Sequence, residues 1–221
     1  MQQFDLMKSR HSVRQYTDCP IKDAALVALR AEIEECNKES GLHIQLVTDE
    51  PKAFDGFMAH YGKFSGVTNY IALVGKKEKD LDEKCGYFGE RLVLKAQALG
   101  LNTCWVAMTY SKVSGAYQVA KGEKLVIVIA LGYGKTQGVT HKTKSPTEVS
   151  NLSADAPAWF KDGVTAALLA PTAMNQQKFY LNYADGKVTA SAGRGFYTRI
   201  DLGIVKYHFE LGVGKDNFLW G

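Results

Sequence analysis

Hydrophobic residues recur along this chain at two alternating periods, one helical and one extended. Between residues 24 and 33 the apolar positions are spaced as on one face of an α-helix, and Gly41 follows as a stop. The same spacing returns between Phe88 and Leu99, just before Gly100. These stretches predict two amphipathic helices, each ended by a glycine.

Short apolar runs rich in β-branched residues separate the predicted helices. HIQLVT (43–48) and KLVIVIALG (124–132) have the composition of strands, and YIALVG (70–75) that of a strand buried on both faces. NTCWVAM (102–108) follows a predicted helix directly and is interpreted as a tight connection.

A change of composition follows the last of these strands. Residues 135–155 are rich in Lys, Thr, Gly, Ser and Pro, which is typical of a loop or crossover and marks a candidate boundary. Beyond it we predict a helix at about 159–170 and a hairpin within 178–191. A last helix is predicted from about 199 to 211, ending at Gly212.

The overall composition is that of a globular protein. With 221 residues and 46% apolar residues, the chain can bury roughly 70% of the surface that it exposes when unfolded. No stretch approaches the roughly 20 consecutive apolar residues of a membrane span, and the N-terminus lacks the apolar core of a signal peptide. No membrane partner and a cytoplasmic location are therefore expected.

Cysteine spacing and net charge argue against two other classes of protein. Cys19, Cys36, Cys85 and Cys104 lie far apart and form no metal-binding pattern with the histidines, so neither a metal site nor a disulfide framework is expected. The net charge of +4 is modest, and the basic residues are scattered. A basic nucleic-acid-binding module therefore ranks low, and no nucleic-acid partner is expected.

The residues that point to chemistry begin with an arginine segment, RHSVRQY (10–16). Arg10 and Arg14 offer planar, always-protonated guanidinium groups, which bind a phosphate in a fixed geometry, and Ser12 adds a neutral hydrogen bond. Lys142 and Lys144, after the strand at 124–132, could supply further cations. The pattern predicts binding of an anion such as a phosphate monoester.

Four motifs occur in order along the chain. They are RHSVRQY (10–16), GLNTCW (100–105), ALGYG (130–134) with HKTKSPTEV (141–149), and APTAMNQQ (170–177). Together they resemble the nitroreductase-like FMN oxidoreductases, in the branch where two halves are fused in one chain. The resemblance implies an α+β fold in which helices flank a mixed β-sheet and the two halves form a pseudo-dimer. It also implies a monomer with an internal pseudo-two-fold axis, or a weak homodimer.

The resemblance also implies how the two halves share one site. The N-terminal half, residues 1–144, carries the arginine segment but has AEIEECNKE (31–39) where its own flavin loop is expected. The smaller C-terminal half, residues 145–221, supplies that loop as APTAMNQQ. Similar segments close a helix in each half, QALGLN (97–102) and FELGVG (209–214), as an ancient duplication would leave them.

Roles toward the cofactor follow from the same resemblance. Arg10 and Ser12 are expected to bind the phosphate or the ribityl chain, with His11 in place of a commoner second arginine. Arg14 is expected near the pyrimidine edge of the flavin, where a cation stabilises the reduced ring.

The remaining expected contacts come from later parts of the chain. A backbone N–H of Ala107 or Met108, after Trp105, is expected near the flavin N5. Basic residues are assigned to the phosphate, and the flavin loop is assigned to the ring and ribityl chain. These cofactor-binding residues are Lys142, Lys144, Pro171, Thr172, Ala173 and Asn175.

The activity that these resemblances imply is an NAD(P)H-dependent, nitroreductase-type oxidoreductase with tightly bound FMN. NAD(P)H would be a transient co-substrate, and the acceptor a small electron-poor molecule such as a nitroaromatic or a quinone. The flavin would do the chemistry, so no side chain is assigned as a catalytic residue. The alternative is a flavin-binding protein without turnover.

Overall fold

The computed structural model describes residues 3–221, which form two compact units. Both are named here after their sheets. The four-stranded unit consists of Arg10–Leu81 and Arg91–Val139. The three-stranded unit consists of residues 3–9, Asp82–Glu90 and Thr140–Gly221.

Helices and strands alternate through most of the described chain. The helices are α1 (Gln3–Ser9), α2 (Asp23–Ser40), α3 (Phe57–Tyr61), α4 (Leu81–Ala98), α5 (Pro146–Val149), α6 (Ala158–Ala167) and α7 (Thr198–Val213). The strands are β1 (Gln45–Val47), β2 (Asn69–Lys76), β3 (Asn102–Val106), β4 (Glu123–Gly132), β5 (Phe179–Ala184), β6 (Lys187–Ala192) and β7 (Leu219–Trp220). Short 3-10 turns occupy Lys52–Phe54, Ala173–Asn175 and Lys215–Asn217.

The compact units divide the chain differently from the predicted halves, 1–144 and 145–221. One division falls between Val139 and Thr140, slightly before the predicted boundary, and two earlier segments belong with the C-terminal part. Helix α4 contributes its first half to the three-stranded unit and its second half to the four-stranded unit. The duplication itself stays a prediction.

An antiparallel sheet forms the centre of the four-stranded unit. Its strand order is β1-β2-β4-β3. Strand β2 is buried from Asn69 through Gly75, which confirms the prediction of a strand buried on both faces. The predicted strands at 43–48 and 124–132 are also confirmed, the first only over Gln45–Val47.

Residues 102–106, predicted to lie in a tight connection, form strand β3 instead. This strand pairs with β4 in a continuous register from Asn102 opposite Gly132 to Val106 opposite Val128. Five residues are too few for a clear period along the sequence. The strand is defined by its partner, which lies distant in the chain.

The two glycine-terminated helices are confirmed. Helix α2 ends at Gly41, whose φ of 70° is left-handed and whose N–H donates to the carbonyl of Asn37 at 2.9 Å. Helix α4 begins at Leu81, well before the first apolar position used to predict it, and Gly100 follows it with φ of 78°.

The three-stranded unit contains the predicted hairpin. Strands β5 and β6 pair antiparallel around Asp185 and Gly186, and β7 adds to β6 in parallel. The helix predicted at about 199–211 is confirmed as α7, but it continues through Gly212 to Val213. A Cβ at Gly212 would lie 2.5 Å from the Cβ of Ala166, so this glycine permits close packing of α7 on α6 rather than ending the helix.

Helices and strands together confirm the predicted α+β class. The strands form two sheets rather than one, and only the smaller sheet is mixed in direction. Within residues 3–221, no helix combines the length and the apolar character needed to cross a membrane.

Candidate functional site

The arginine segment is fixed by backbone hydrogen bonds to three other parts of the four-stranded unit. Two of its N–H groups donate to the carbonyls of Thr103 and Ser65, at 3.0 and 2.9 Å, and the carbonyl of Gln15 accepts from the N–H of Lys135 at 2.8 Å. The segment is therefore tied to β3, to the loop before β2 and to the chain just after β4. Such pairing fixes an extended backbone.

Side chains of the arginine segment divide between the core and the solvent. Val13 and Tyr16 are buried in the core of the four-stranded unit, whereas Ser12 and Arg14 are exposed. Arg10, at the start of the segment, is only 4% exposed. Val13 and Tyr16 thus hold the segment in place, Arg10 is enclosed with them, and Ser12 and Arg14 face outward.

Three of the predicted side chains converge near the thiol of Cys104 in β3. Burial raises the pKa of Cys104, and the neighbouring Arg14, the hydroxyl of Ser12 and Arg10 act in the opposite direction. Two guanidinium groups and a hydroxyl therefore all interact with one residue of the sheet. This is the donor set that a phosphate takes, since all three groups donate hydrogen bonds and two carry positive charge.

The other predicted residues of the four-stranded unit lie around this cluster or further along β3. His11 is half-buried, and Gly138 approaches it so closely that an added Cβ would lie 2.7 Å from the Cβ of His11. Ala107 and the exposed Met108 follow the end of β3. At about 3.3 Å per residue, Ala107 lies on the order of 13 Å along the strand from Thr103. A ligand that reaches both ends must have a comparable length.

In the three-stranded unit, the segment predicted to be the flavin loop, APTAMNQQ (170–177), keeps that name below and has an unusual backbone. Met174, Asn175 and Gln177 have φ values of 52°, 53° and 45°, in the left-handed region. Each such residue without a glycine's freedom costs about 1–2 kcal/mol. The loop keeps this conformation because neighbouring side chains hold it by hydrogen bonds.

Gln177 makes most of those hydrogen bonds. Its side-chain Nε2 donates to the carbonyl of Lys142 at 2.8 Å and to Oδ1 of Asn175 at 3.0 Å. Its Oε1 accepts from the backbone N–H of Lys144 at 2.9 Å, and its carbonyl accepts from Nζ of Lys144 at 3.0 Å. Its own N–H donates to Oγ1 of Thr172 at 3.0 Å. Four of the six residues predicted in this unit therefore meet at Gln177.

Asp201 anchors the other side of the same loop from helix α7. Its Oδ1 accepts from the N–H of Ala173 at 2.9 Å, and its Oδ2 accepts from Nε2 of Gln176 at 2.8 Å. Burial raises the pKa of Asp201 to about 6, against the lowering effect of these two hydrogen bonds. The carboxyl group thus sits in a weakly solvated place and is committed to holding the loop.

The predicted site residues fall into two groups, one in each unit. The structure brings members of each group together, and their roles toward a cofactor stay predictions. The group of the four-stranded unit is Arg10, His11, Ser12, Arg14, Ala107 and Met108. The group of the three-stranded unit is Lys142, Lys144, Pro171, Thr172, Ala173 and Asn175.

Two residues that organise the second group were not predicted. Gln177 is the last residue of the APTAMNQQ motif, so its place in the motif was a signal that could have found it. Asp201 lies between the buried Ile200 and Leu202 in α7, and an acidic residue in such a run is the only local sign of a special role.

No metal site accompanies these residues in the described chain. Within residues 3–221, no three side chains of His, Cys, Asp or Glu are grouped so that they could hold a metal ion. What the two groups can do chemically is to bind an anion and to donate hydrogen bonds to it.

Fold and site together place the chain among proteins with a nitroreductase-like α+β fold. The chain belongs to the family described as "Putative TM nitroreductase", whose model matches residues 3–213. This confirms the family named from the sequence motifs. A search of the curated proteins found no match.

Solved structures with the same fold are only distantly related in sequence. A "putative nitroreductase" from Thermotoga maritima is 22% identical, with a TM-score of 0.65, over 96% of this chain and 83% of its own. A "putative nitroreductase in complex with FMN" from Desulfovibrio desulfuricans is 15% identical, with a TM-score of 0.52. A "Putative NADH dehydrogenase/NAD(P)H nitroreductase" from Parabacteroides distasonis is 19% identical, with the same TM-score. At these identities the likeness establishes the fold.

The last two structures also differ from this chain in extent. In each case 98% of the other protein is matched by 70% of this chain. About three tenths of this chain therefore has no counterpart in either of them.

Proposed function

We propose that this protein is an FMN-dependent oxidoreductase that oxidises NAD(P)H and reduces an electron-poor acceptor such as a nitroaromatic or a quinone. The observation that supports an anionic cofactor is that Arg10, Ser12 and Arg14 all interact with the thiol of Cys104 in β3, the strand that Ser12 adjoins at Thr103. Membership of the nitroreductase family supports the class of reaction. FMN in the Desulfovibrio desulfuricans structure and NAD(P)H in the name of the Parabacteroides distasonis protein support the two cofactors.

The residues present fit the phosphate and ring of FMN. The named set offers guanidinium, ammonium, hydroxyl and backbone N–H donors, and it contains no carboxylate that would repel a phosphate. Arg10, Ser12 and the two lysines, Lys142 and Lys144, would hold the phosphate and ribityl chain. Arg14 would lie by the pyrimidine edge, and an N–H of Ala107 or Met108 would donate to N5. FMN, when bound, supplies the hydride and electron transfer.

The finer part of the proposal is that the two fused halves share one flavin. The residues predicted to contact FMN are divided between the halves, and neither half contains the full set. One tightly bound FMN per polypeptide follows, in a pseudo-dimeric monomer or a weak homodimer located in the cytoplasm. The extra length of this chain over the two shorter nitroreductases agrees with a fused arrangement.

An absorption spectrum of the purified protein tests the proposal first. Protein supplied with FMN should retain one equivalent per chain, and anaerobic NADH or NADPH should bleach the flavin band. A yellow protein that is not bleached by either nucleotide would be a flavin-binding protein without turnover. A colourless protein that retains nucleic acid in a salt-sensitive way would contradict FMN binding altogether.

Charge removal tests the assigned residues. Arg10→Ala and Lys144→Ala should each weaken FMN retention by roughly 1.5–3 kcal/mol, because each removes a charged donor from the phosphate. Arg30→Ala, which removes an exposed arginine from α2, is the matched control and should retain FMN as the wild type does. Two flavins per chain, or unchanged affinity in Arg10→Ala, would contradict the shared site.

A further inference from the structure

Gln177 links the flavin loop to the two lysines, although its side chain carries no charge and is only 3% exposed. We propose that Gln177 is a positioning residue that fixes Lys142 and Lys144 for binding the phosphate of the cofactor. The inference rests on the proposed function and adds to it a residue that acts through the lysines rather than on FMN.

The geometry of the amide group supports this role. Lys142 presents its carbonyl to Nε2 of Gln177, and Lys144 presents its N–H to Oε1, so the two hydrogen bonds flank Thr143. A carboxamide offers a donor and an acceptor side by side, as a neighbouring strand would. The two hydrogen bonds therefore fix both the position and the direction of residues 142–144, which form part of no helix or strand.

The backbone carbonyl of Gln177 also restrains the charged end of the Lys144 side chain. It accepts one hydrogen bond from Nζ of Lys144 at 3.0 Å, and an ammonium group has three N–H donors. After this contact, two N–H groups of the Lys144 ammonium remain to donate to an anion. A lysine side chain otherwise has a flexible four-carbon stem, so the contact lowers the entropy that is lost when a phosphate binds.

The adjacent residue provides a natural comparison. Gln176 has the same side chain in the same loop, but its Nε2 donates to Oδ2 of Asp201 and to the carbonyl of Phe196. Its amide is therefore committed to Asp201 and to Phe196 rather than to residues 142–144. The same substitution at the two positions therefore separates an effect on the lysines from a general effect on the loop.

The experiment measures how strongly the full-length apoprotein prefers FMN to riboflavin, which differ by the phosphate. Gln177→Met should lower this preference about tenfold, the equivalent of one lost hydrogen bond to a charged group, and leave riboflavin affinity unchanged. Gln176→Met should keep the wild-type preference. A merely structural role of Gln177 would weaken both ligands equally and would overturn the inference.

Action through the two lysines is tested by combining substitutions. If Gln177 acts by positioning Lys142 and Lys144, the triple variant Gln177→Met/Lys142→Met/Lys144→Met should lose no more preference for FMN than Lys142→Met/Lys144→Met. Losses that multiply would overturn the inference.

Three further outcomes are decisive. If Gln177→Met is unfolded by circular dichroism, Gln177→Glu takes its place, since it sets a carboxylate oxygen against the carbonyl of Lys142, and unchanged preference there would overturn the inference. A wild-type protein with no preference for FMN would overturn the proposed phosphate site together with this role. A wild-type preference retained in folded Gln177→Met would overturn the role of Gln177 alone.

Discussion

The carboxylate of Asp201 accepts a hydrogen bond from the backbone N–H of Ala173 at 2.9 Å and so joins helix α7 to the flavin loop. Its second oxygen accepts from Gln176, and the group is only 3% exposed. Burial accordingly raises the pKa of Asp201 to about 6. The Asp201 carboxyl group thus gains its charge within an ordinary range of pH.

This raised pKa predicts a specific dependence of stability on pH. Between the ordinary aspartate value of 3.8 and about 6, the folded protein holds a proton on Asp201 that the unfolded chain has released. The free energy of unfolding contributed by Asp201 is therefore greatest below pH 4 and is lost as the pH rises through 6. The loss should be on the order of 2–3 kcal/mol.

Urea denaturation of the wild type and of Asp201→Asn at several pH values from about 3 to about 8 measures this contribution. The difference in unfolding free energy, wild type minus variant, should fall as the pH rises and should level off above about pH 7. A difference that stays constant over this range would show that Asp201 titrates normally in the folded protein.

Gly66 allows a close approach that fixes the arginine segment. Its φ is 69°, and a Cβ added there would lie 2.4 Å from the carbonyl oxygen of Tyr16. Gly66→Ala should therefore lower the unfolding free energy by about 2–3 kcal/mol, since the backbone of one segment must move. The same shift should weaken FMN binding, because Arg14 lies two residues before Tyr16.

Gly115→Ala is the matched control for this prediction. Gly115 also has a left-handed φ, of 82°, but no atom lies within 4 Å of its added Cβ. Alanine there should cost only the conformational strain, about 1 kcal/mol. Equal losses for the two variants in chemical denaturation would mean that the approach to Tyr16 is unimportant.

Periodicity along the sequence predicted the elements that carry their own pattern. Helix α2 could be predicted because its apolar face and its stop at Gly41 are both local, and strand β4 because its branched residues form a long run. Strand β3 was missed because its five residues are defined by pairing with β4. Gly212 was predicted to end a helix, whereas its small size allows the helix to pack closely against Ala166.

From the sequence, the candidate site could be predicted as a set of residues with suitable charges and donors, but the contacts among them could not. The arginine segment and APTAMNQQ are local motifs, so their charges and donors were visible in the sequence. The contacts of Gln177 with residues 142–144 join positions more than thirty residues apart, and no local pattern encodes them. The left-handed backbone of Gln177 likewise accompanies tertiary hydrogen bonds, to Lys142 and Lys144.

A buried pair in the three-stranded unit should contribute strongly to stability. His208 and Glu90 are both fully buried, and Nε2 of the histidine lies 2.9 Å from Oε1 of the glutamate. The other ring nitrogen lies 3.2 Å from the carbonyl of Ala166, which can only accept, so that nitrogen carries a hydrogen.

Replacing one member of this pair with an apolar residue leaves the other member, a buried polar group, facing an apolar side chain. Glu90→Met and His208→Leu should each lower the unfolding free energy by about 3–5 kcal/mol, and the double variant by less than the sum of the two. Urea denaturation of the four proteins measures the coupling. Strictly additive losses would show that the two side chains do not stabilise each other.

Arg14 provides the last prediction, which rests on the proposed function. The residue is exposed, and its guanidinium lies 6.0 Å from the centre of the Phe64 ring, so its removal should cost the fold little. If it lies by the pyrimidine edge, Arg14→Met removes a cation from the place where reduction puts negative charge, and the flavin midpoint potential should fall by about 30 mV or more. Spectroscopic redox titration against a reference dye measures the shift, with Arg30→Met as the control for loss of an exposed arginine. An unchanged potential in Arg14→Met, with FMN still bound, would place Arg14 away from the pyrimidine ring.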